Sequence, residues 1–180
     1  MNSRLRSRDI ATAFAFVAAL ACIAAGPARA IEANVLLPWK GGATPKLALA
    51  ALDGRRVDLK ALRGKTVIVN FWATWCGPCR EEMPSLAALA KAEGTGVVVL
   101  AVNVGESRPK VQQFLAAHSL DLDVLLDAQG EAAADWRIAI YPSSFVIAPD
   151  GRIHSYIAGA LDWNDPAVVR RLPATGVAHR

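Results

Sequence analysis

Cysteine is scarce in this chain, with three in 180 residues. That is too few for a small fold stapled by disulfides. Excess charge is scarce too, once it is located. The formal net charge is +4, but residues 1–30 hold Arg4, Arg6, Arg8 and Arg29 against Asp9 alone. The rest carries 16 basic and 15 acidic residues. The basicity belongs to the N-terminus, so no nucleic-acid partner is implied. No internal repeat or low-complexity tract is visible beyond residue 30. What is present is 53% hydrophobic residues beside 20% charged ones, which excludes a disordered chain and suits one compact domain.

The first thirty residues read as an address. Arg4, Arg6 and Arg8 precede an uncharged run from Ile10 to Ala25, then Gly26-Pro27 and Ala28-Arg29-Ala30. This is the pattern of a secretory signal cleaved before Ile31. The run is 16 residues long, short of the roughly 20 that span a bilayer, so a retained anchor is the lesser alternative. Cys22 follows Ala19-Leu20-Ala21 and lacks the large aliphatic a lipid-attachment box wants at Ala19, so it leaves with the leader. The mature protein then works in the periplasm or another extracytoplasmic space, where thiols are driven to disulfides. It keeps two cysteines, Cys76 and Cys79.

Residues 31–44, with Pro38, Gly41 and Gly42, read as a linker or irregular arm. Leu47–Leu52 and Arg55–Leu59 flank Asp53-Gly54 and read as a hairpin. Leu59–Leu62 suits one helical turn. Thr66–Phe71 is almost wholly β-branched and apolar, as a buried central strand requires. Cys76–Ala92 has helical spacing in Met83, Leu86 and Leu89, with Gly94 and Gly96 to end it. Val97–Val104 is a second buried strand. A helix over Pro109–His118 has Ser107 as its N-cap. Leu122–Leu126 reads as extended and Ala128–Arg137 as helical. Ser143–Ala148 and Arg152–Ala158 form a hairpin around Pro149-Asp150-Gly151, and Asp165–Leu172 is a closing helix. The order implies an α/β fold, a mixed central sheet with helices on both faces and an extra N-terminal hairpin. The domain runs over 45–173, with a loose tail at 174–180.

The strongest signal is Trp75-Cys76-Gly77-Pro78-Cys79. Two cysteines three apart stand at the start of a helix that follows a buried strand. The helix N-terminus carries partial positive charge and free N–H groups, which favour a thiolate at Cys76. Cys79 is close enough in space to bond with it. Cys76 would attack a substrate disulfide and Cys79 would resolve the mixed disulfide. Pro78 suits the first helical turn, and Gly77 lets a partner's backbone approach. Zinc wants four ligands, whereas His118, His154 and His179 are scattered and no further cysteine is on offer. A purely structural bridge stays open as an alternative, although a three-residue loop gains little chain entropy.

Asn70-Phe71-Trp72-Ala73-Thr74-Trp75-Cys76-Gly77-Pro78-Cys79 resembles the active-site stretch of the thioredoxin superfamily. Within it the chain resembles the exported TlpA/ResA-like thiol-disulfide oxidoreductases, a group that includes cytochrome c maturation reductases. Arg80-Glu81-Glu82-Met83-Pro84, Ala101–Ser107 and Tyr141–Ile147 extend the likeness over about residues 45–172. The resemblance implies a thioredoxin-like sheet and assigns Cys76 as attacking and Cys79 as resolving cysteine. It implies that Pro84 kinks the helix and that Pro142 is cis, beside the disulfide, leaving the Tyr141 backbone free to pair with substrate. Glu82, one helical turn past Cys79, is the implied acid; a partly buried carboxylate there would exchange the Cys79 proton with a raised pKa. Glu81 points elsewhere. Cytosolic thioredoxins have Asp where this chain has Asn70, so the titrating group must lie elsewhere. Trp75 borders the substrate surface and Trp72 packs; Trp39, Trp136 and Trp163 have no assignable role. No cofactor is implied beyond the redox-active Cys76–Cys79 pair.

The Gly-Pro dipeptide matches thioredoxin's own, whose potential is about −270 mV. The lead expectation is a reductase of exported protein disulfides, apocytochrome c among them, fed by a membrane thiol carrier. The alternative is a copper-handling relative without turnover, since two thiolates suit Cu(I). Such relatives space their cysteines one residue wider and add a histidine, neither of which is evident here. A peroxidase of the same fold would need Pro-Thr before its cysteine, which Cys76 lacks.

Overall fold

The computed structural model describes residues 35–92 and 96–174. The expected leader, the first four residues of the arm, Gly94 and the tail beyond Ala174 lie outside the described residues. The elements run β1 (Leu37–Pro38), β2 (Ala48–Ala51), β3 (Arg56–Asp58), a 3-10 turn (Leu59–Leu62), β4 (Thr66–Trp72), α1 (Gly77–Lys91), β5 (Val97–Val104), α2 (Arg108–Ala117), β6 (Val124–Asp127), α3 (Glu131–Asp135), β7 (Ser143–Ile147), β8 (Ile153–Ala158) and α4 (Pro166–Val169).

All seven residues of β4 are buried, because the strand sits in mid-sheet between a parallel β5 and an antiparallel β7. The full order is β1-β8-β7-β4-β5-β6-β2-β3. Strands β4, β5 and β6 are mutually parallel, and the other pairings are antiparallel. Alternation along β4 sorts its side chains to two cores. Ile68 and Trp72 join Met83 and Leu86 of α1, Val111 of α2 and Val168 of α4. Val67, Val69 and Phe71 join Ala132 and Ala133 of α3, Trp136 and Leu59. Helices therefore cover both faces, as the sequence implies. By the same alternation Asn70 lies on the face that α1 covers.

Three local expectations are corrected, and a fourth, the N-cap of α2, holds in position alone. The arm is not wholly irregular: Leu37 and Pro38 pair with Tyr156 and Ser155, and Trp39 N–H donates to the His154 carbonyl at 3.0 Å. Pro38 is tolerated because β1 is an edge. Ser107 stands at the N-cap of α2, but its hydroxyl makes no capping bond. Helix α3 is five residues, opened by Gly130 at φ 75°; the Asp127 carboxylate caps it, accepting from Ala132 and Ala133 N–H at 3.2 and 2.8 Å. Helix α4 is four residues, since Arg171 and Leu172 donate three residues back and tighten the last turn. Helix α1 runs through Pro84 as one element.

Candidate active site

Past β4 the chain turns through Ala73-Thr74-Trp75 into α1, and Cys76 is the N-cap. Its Sγ accepts from Cys79 N–H at 3.2 Å. Gly77 and Pro78 fill the first helical positions, where no helical hydrogen bond is lost. Cys76 and Cys79 are joined as a disulfide, with Sγ–Sγ 2.06 Å and Cα–Cα 5.3 Å. The bridge sits at the positive end of a 15-residue helix. Cys79 has no exposed surface and Cys76 keeps 5%, while Trp75 is 64% exposed. Gly77 and Pro78 are exposed beside it.

Tyr141 and Pro142 are joined by a cis peptide bond. The Tyr141 ring meets the Trp75 indole edge-on, with centroids 5.7 Å apart. Burial and the charge of Asp127 raise the Tyr141 pKa. Trp75 and Ile140, which precedes Tyr141 in the chain, are two of the large exposed apolar side chains.

Glu82 lies one helical turn past Cys79 on α1 and is 3% exposed. Its Oε1 accepts from the Trp163 indole N–H at 2.7 Å and from Leu161 N–H at 3.1 Å. Its Oε2 accepts from Asn70 Nδ2 at 3.1 Å. Every one of these donors is neutral. Burial pushes the Glu82 pKa up, the three hydrogen bonds pull it down, and burial wins, leaving it at about 7. Asn70 Nδ2 also donates to Ser144 Oγ at 2.9 Å, because Asn70 and Ser144 stand opposite each other across β4 and β7. Glu81 is exposed.

A second carboxylate fixes the loop before Cys76. Glu106, 6% exposed, accepts from Thr74 N–H and Thr74 Oγ1, both at 2.7 Å, and from Asn103 Nδ2 at 2.8 Å. Lys110 Nζ lies 2.7 Å from its Oε1. Burial alone would raise its pKa, but the bonds from Lys110, Thr74 and Asn103 outweigh it and lower the pKa. Among the described residues no group of three or more His, Cys, Asp or Glu is arranged to hold a metal ion.

All the residues singled out from sequence meet at one end of the sheet: Cys76, Cys79, Trp75, Gly77 and Pro78 with Glu82 one helical turn on and Tyr141-Pro142 alongside. Sequence reasoning missed Trp163, Ser144 and Glu106. Trp163 is 81 positions from Glu82, and no local pattern links the two. Asn70 was readable as a neighbour of α1 from its place in the β4 alternation.

A disulfide across the first turn of a helix that leaves the central strand of such a sheet defines a thiol-disulfide oxidoreductase of thioredoxin-like fold. The redoxin family model matches residues 39–172. The thiol-disulfide oxidoreductase ResA of Bacillus subtilis is 34% identical over 123 residues, 68% of this chain and 69% of ResA. ResA of Geobacillus thermodenitrificans is 35% identical over 126 residues, 69% of this chain and 72% of the relative. Among solved structures, a thioredoxin-family thiol:disulfide interchange protein of Chlorobium tepidum superposes with TM-score 0.61 at 27% identity, covering 74% of this chain and 97% of its own. The chain belongs to the redoxin family, as a ResA-like thiol-disulfide oxidoreductase.

Proposed function

We propose that this protein reduces disulfides in exported proteins, outside the cytoplasm. The Cys76 thiolate attacks one client sulfur and forms a mixed disulfide, and the client's other sulfur leaves as a thiolate and takes a proton. Cys79 gives its proton to the Glu82 carboxylate and attacks Cys76 Sγ. The second client sulfur leaves, the Cys76–Cys79 bridge closes, and two electrons have passed to the client. A membrane-embedded dithiol carrier returns them. Trp75, Gly77, Pro78 and the Tyr141-Pro142 segment form the surface that receives the client, and the haem-binding cysteines of apocytochrome c are one client class.

The observation that carries this reading is the pairing of one reachable sulfur at a helix N-terminus with a sealed carboxyl one helical turn beyond its partner. A carboxyl with a pKa of about 7 is suited to take and return a proton near neutrality. A Cys79→Ala variant tests it. The variant should accumulate mixed disulfides through Cys76, and mass spectrometry of the captured partners names the clients. No adduct from exported proteins, with a folded variant, would overturn the reading. The direction is tested separately: a potential near −270 mV supports reduction, and one above roughly −180 mV reverses it.

A further inference from the structure

We propose that the Asn70 amide turns over when Glu82 changes protonation, donating to the carboxylate and accepting from the acid, so that this sealed group is hydrogen-bonded in both states. The proposal rests on the reading of Glu82 as proton acceptor and makes Asn70 its positioning residue.

The two oxygens of Glu82 have different partners. Oε1 is held by a backbone N–H and an indole N–H, from Leu161 and Trp163. Neither can accept, so a proton placed there would push one of them away. Oε2 has a single donor, Asn70 Nδ2, and is where the proton lands. It then points at an NH2 group, donor against donor.

Asn70 holds the remedy on its other end. Its Oδ1 is buried with no hydrogen-bond partner, while Nδ2 serves both Glu82 and Ser144. A half-turn of the amide exchanges ends of nearly equal size, so it needs no extra room, and in either orientation the end turned away from Glu82 and Ser144 is the unpartnered one. Oδ1 then accepts from the Glu82 O–H, and the Ser144 hydroxyl rotates from acceptor to donor to meet the same oxygen. The backbone register of Asn70 opposite Ser144 keeps these partners in reach in either orientation.

Among the described residues the surrounding elements bring no competing charge into contact. On α1 the charged neighbours Arg80 and Glu81 are exposed, as is Asp162 between β8 and α4. Cys79, one turn earlier on α1, is the remaining titratable neighbour and is held in the disulfide. From β4 and β7 come Asn70 and Ser144. The proton state of Glu82 is therefore answered by an amide and a hydroxyl, with no ion pair in the network.

The test is a pH titration of the oxidised protein by NMR between about pH 5 and 9, a window spanning ordinary and raised carboxyl values. It follows the Glu82 13Cδ shift together with Overhauser contacts from the Asn70 side-chain NH2 to the Ser144 Hβ protons. The contacts should weaken as Glu82 takes its proton, with the same midpoint. An Asn70→Leu variant gives a second readout. If Asn70 only donates, its loss removes a bond from the charged form alone and raises the Glu82 midpoint by about one to two pH units. If it turns over, each form loses one bond and the midpoint moves by less than about half a unit. A Glu82 that titrates while the Asn70 contacts stay fixed overturns the amide proposal and leaves the relay standing. A Glu82 that does not titrate in this window overturns both. The wild-type arm needs no variant to fold.

Discussion

The Glu82→Gln substitution should change how stability depends on pH. The carboxyl ionises at an ordinary value of 4.5 in the unfolded chain and at about 7 in the fold. Between those values the native state holds a proton that the unfolded state has released, so native stability falls as pH rises. The contribution is fully present below pH 4.5 and gone above pH 7. The gap between the two values corresponds to about 3 kcal/mol, spread over that window. The substituted glutamine is neutral throughout and removes this slope, and its amide can still present oxygen to Leu161 and Trp163. Urea unfolding of the oxidised proteins at pH 5 and pH 8.5 reads the effect. Because pH 5 already lies above the unfolded value, the variant should gain about 2.5 kcal/mol relative to wild type between those two conditions. Titrations elsewhere cancel in the difference. Parallel profiles for the two proteins would show that Glu82 is ionised in both states, and the argument from burial would fail.

Three more perturbations follow from the same geometry. Trp163→Phe removes the 2.7 Å donor to Glu82 Oε1, which favours only the charged form; the Glu82 midpoint, read from its 13Cδ shift, should rise by about one to two pH units. Glu106→Ala strips the partner from both Thr74 donors and from Asn103 and should lower stability by about 3 kcal/mol in urea unfolding. Lys110→Ala removes only a surface-exposed cation and should cost under about 1 kcal/mol in the same assay.

Much of the fold was legible because the informative elements are the buried ones. Val97–Val104 runs between the bounds its apolar pattern implies, and Thr66–Trp72 is extended by a single residue. Neither strand has a solvent face to blur its pattern. The cysteine pair was legible because chemistry and helix start coincide in five consecutive residues. The short pieces were less so. Strand β1 hides behind a proline and two glycines, and what defines it is pairing with residues more than a hundred positions away. Helix α3 starts later than the expected Ala128 because the Asp127 carboxylate bonds Ala132 and Ala133 N–H and fixes the N-terminus there, a capping arrangement the apolar stretch itself does not announce. Glu82 could be placed from its spacing to Cys79, but its partners on β4 and before α4 could not, since distant contacts leave no local periodicity.

The unequal exposure of the two sulfurs has a consequence for how encounters end. A reductant arriving at the oxidised protein finds a sliver of Cys76 next to the exposed Trp75, and no surface of Cys79. Under the proposed function this exposure gives attack one sense, at Cys76, with Cys79 the sulfur released. Shape, ahead of intrinsic reactivity, sets the order in which bonds break.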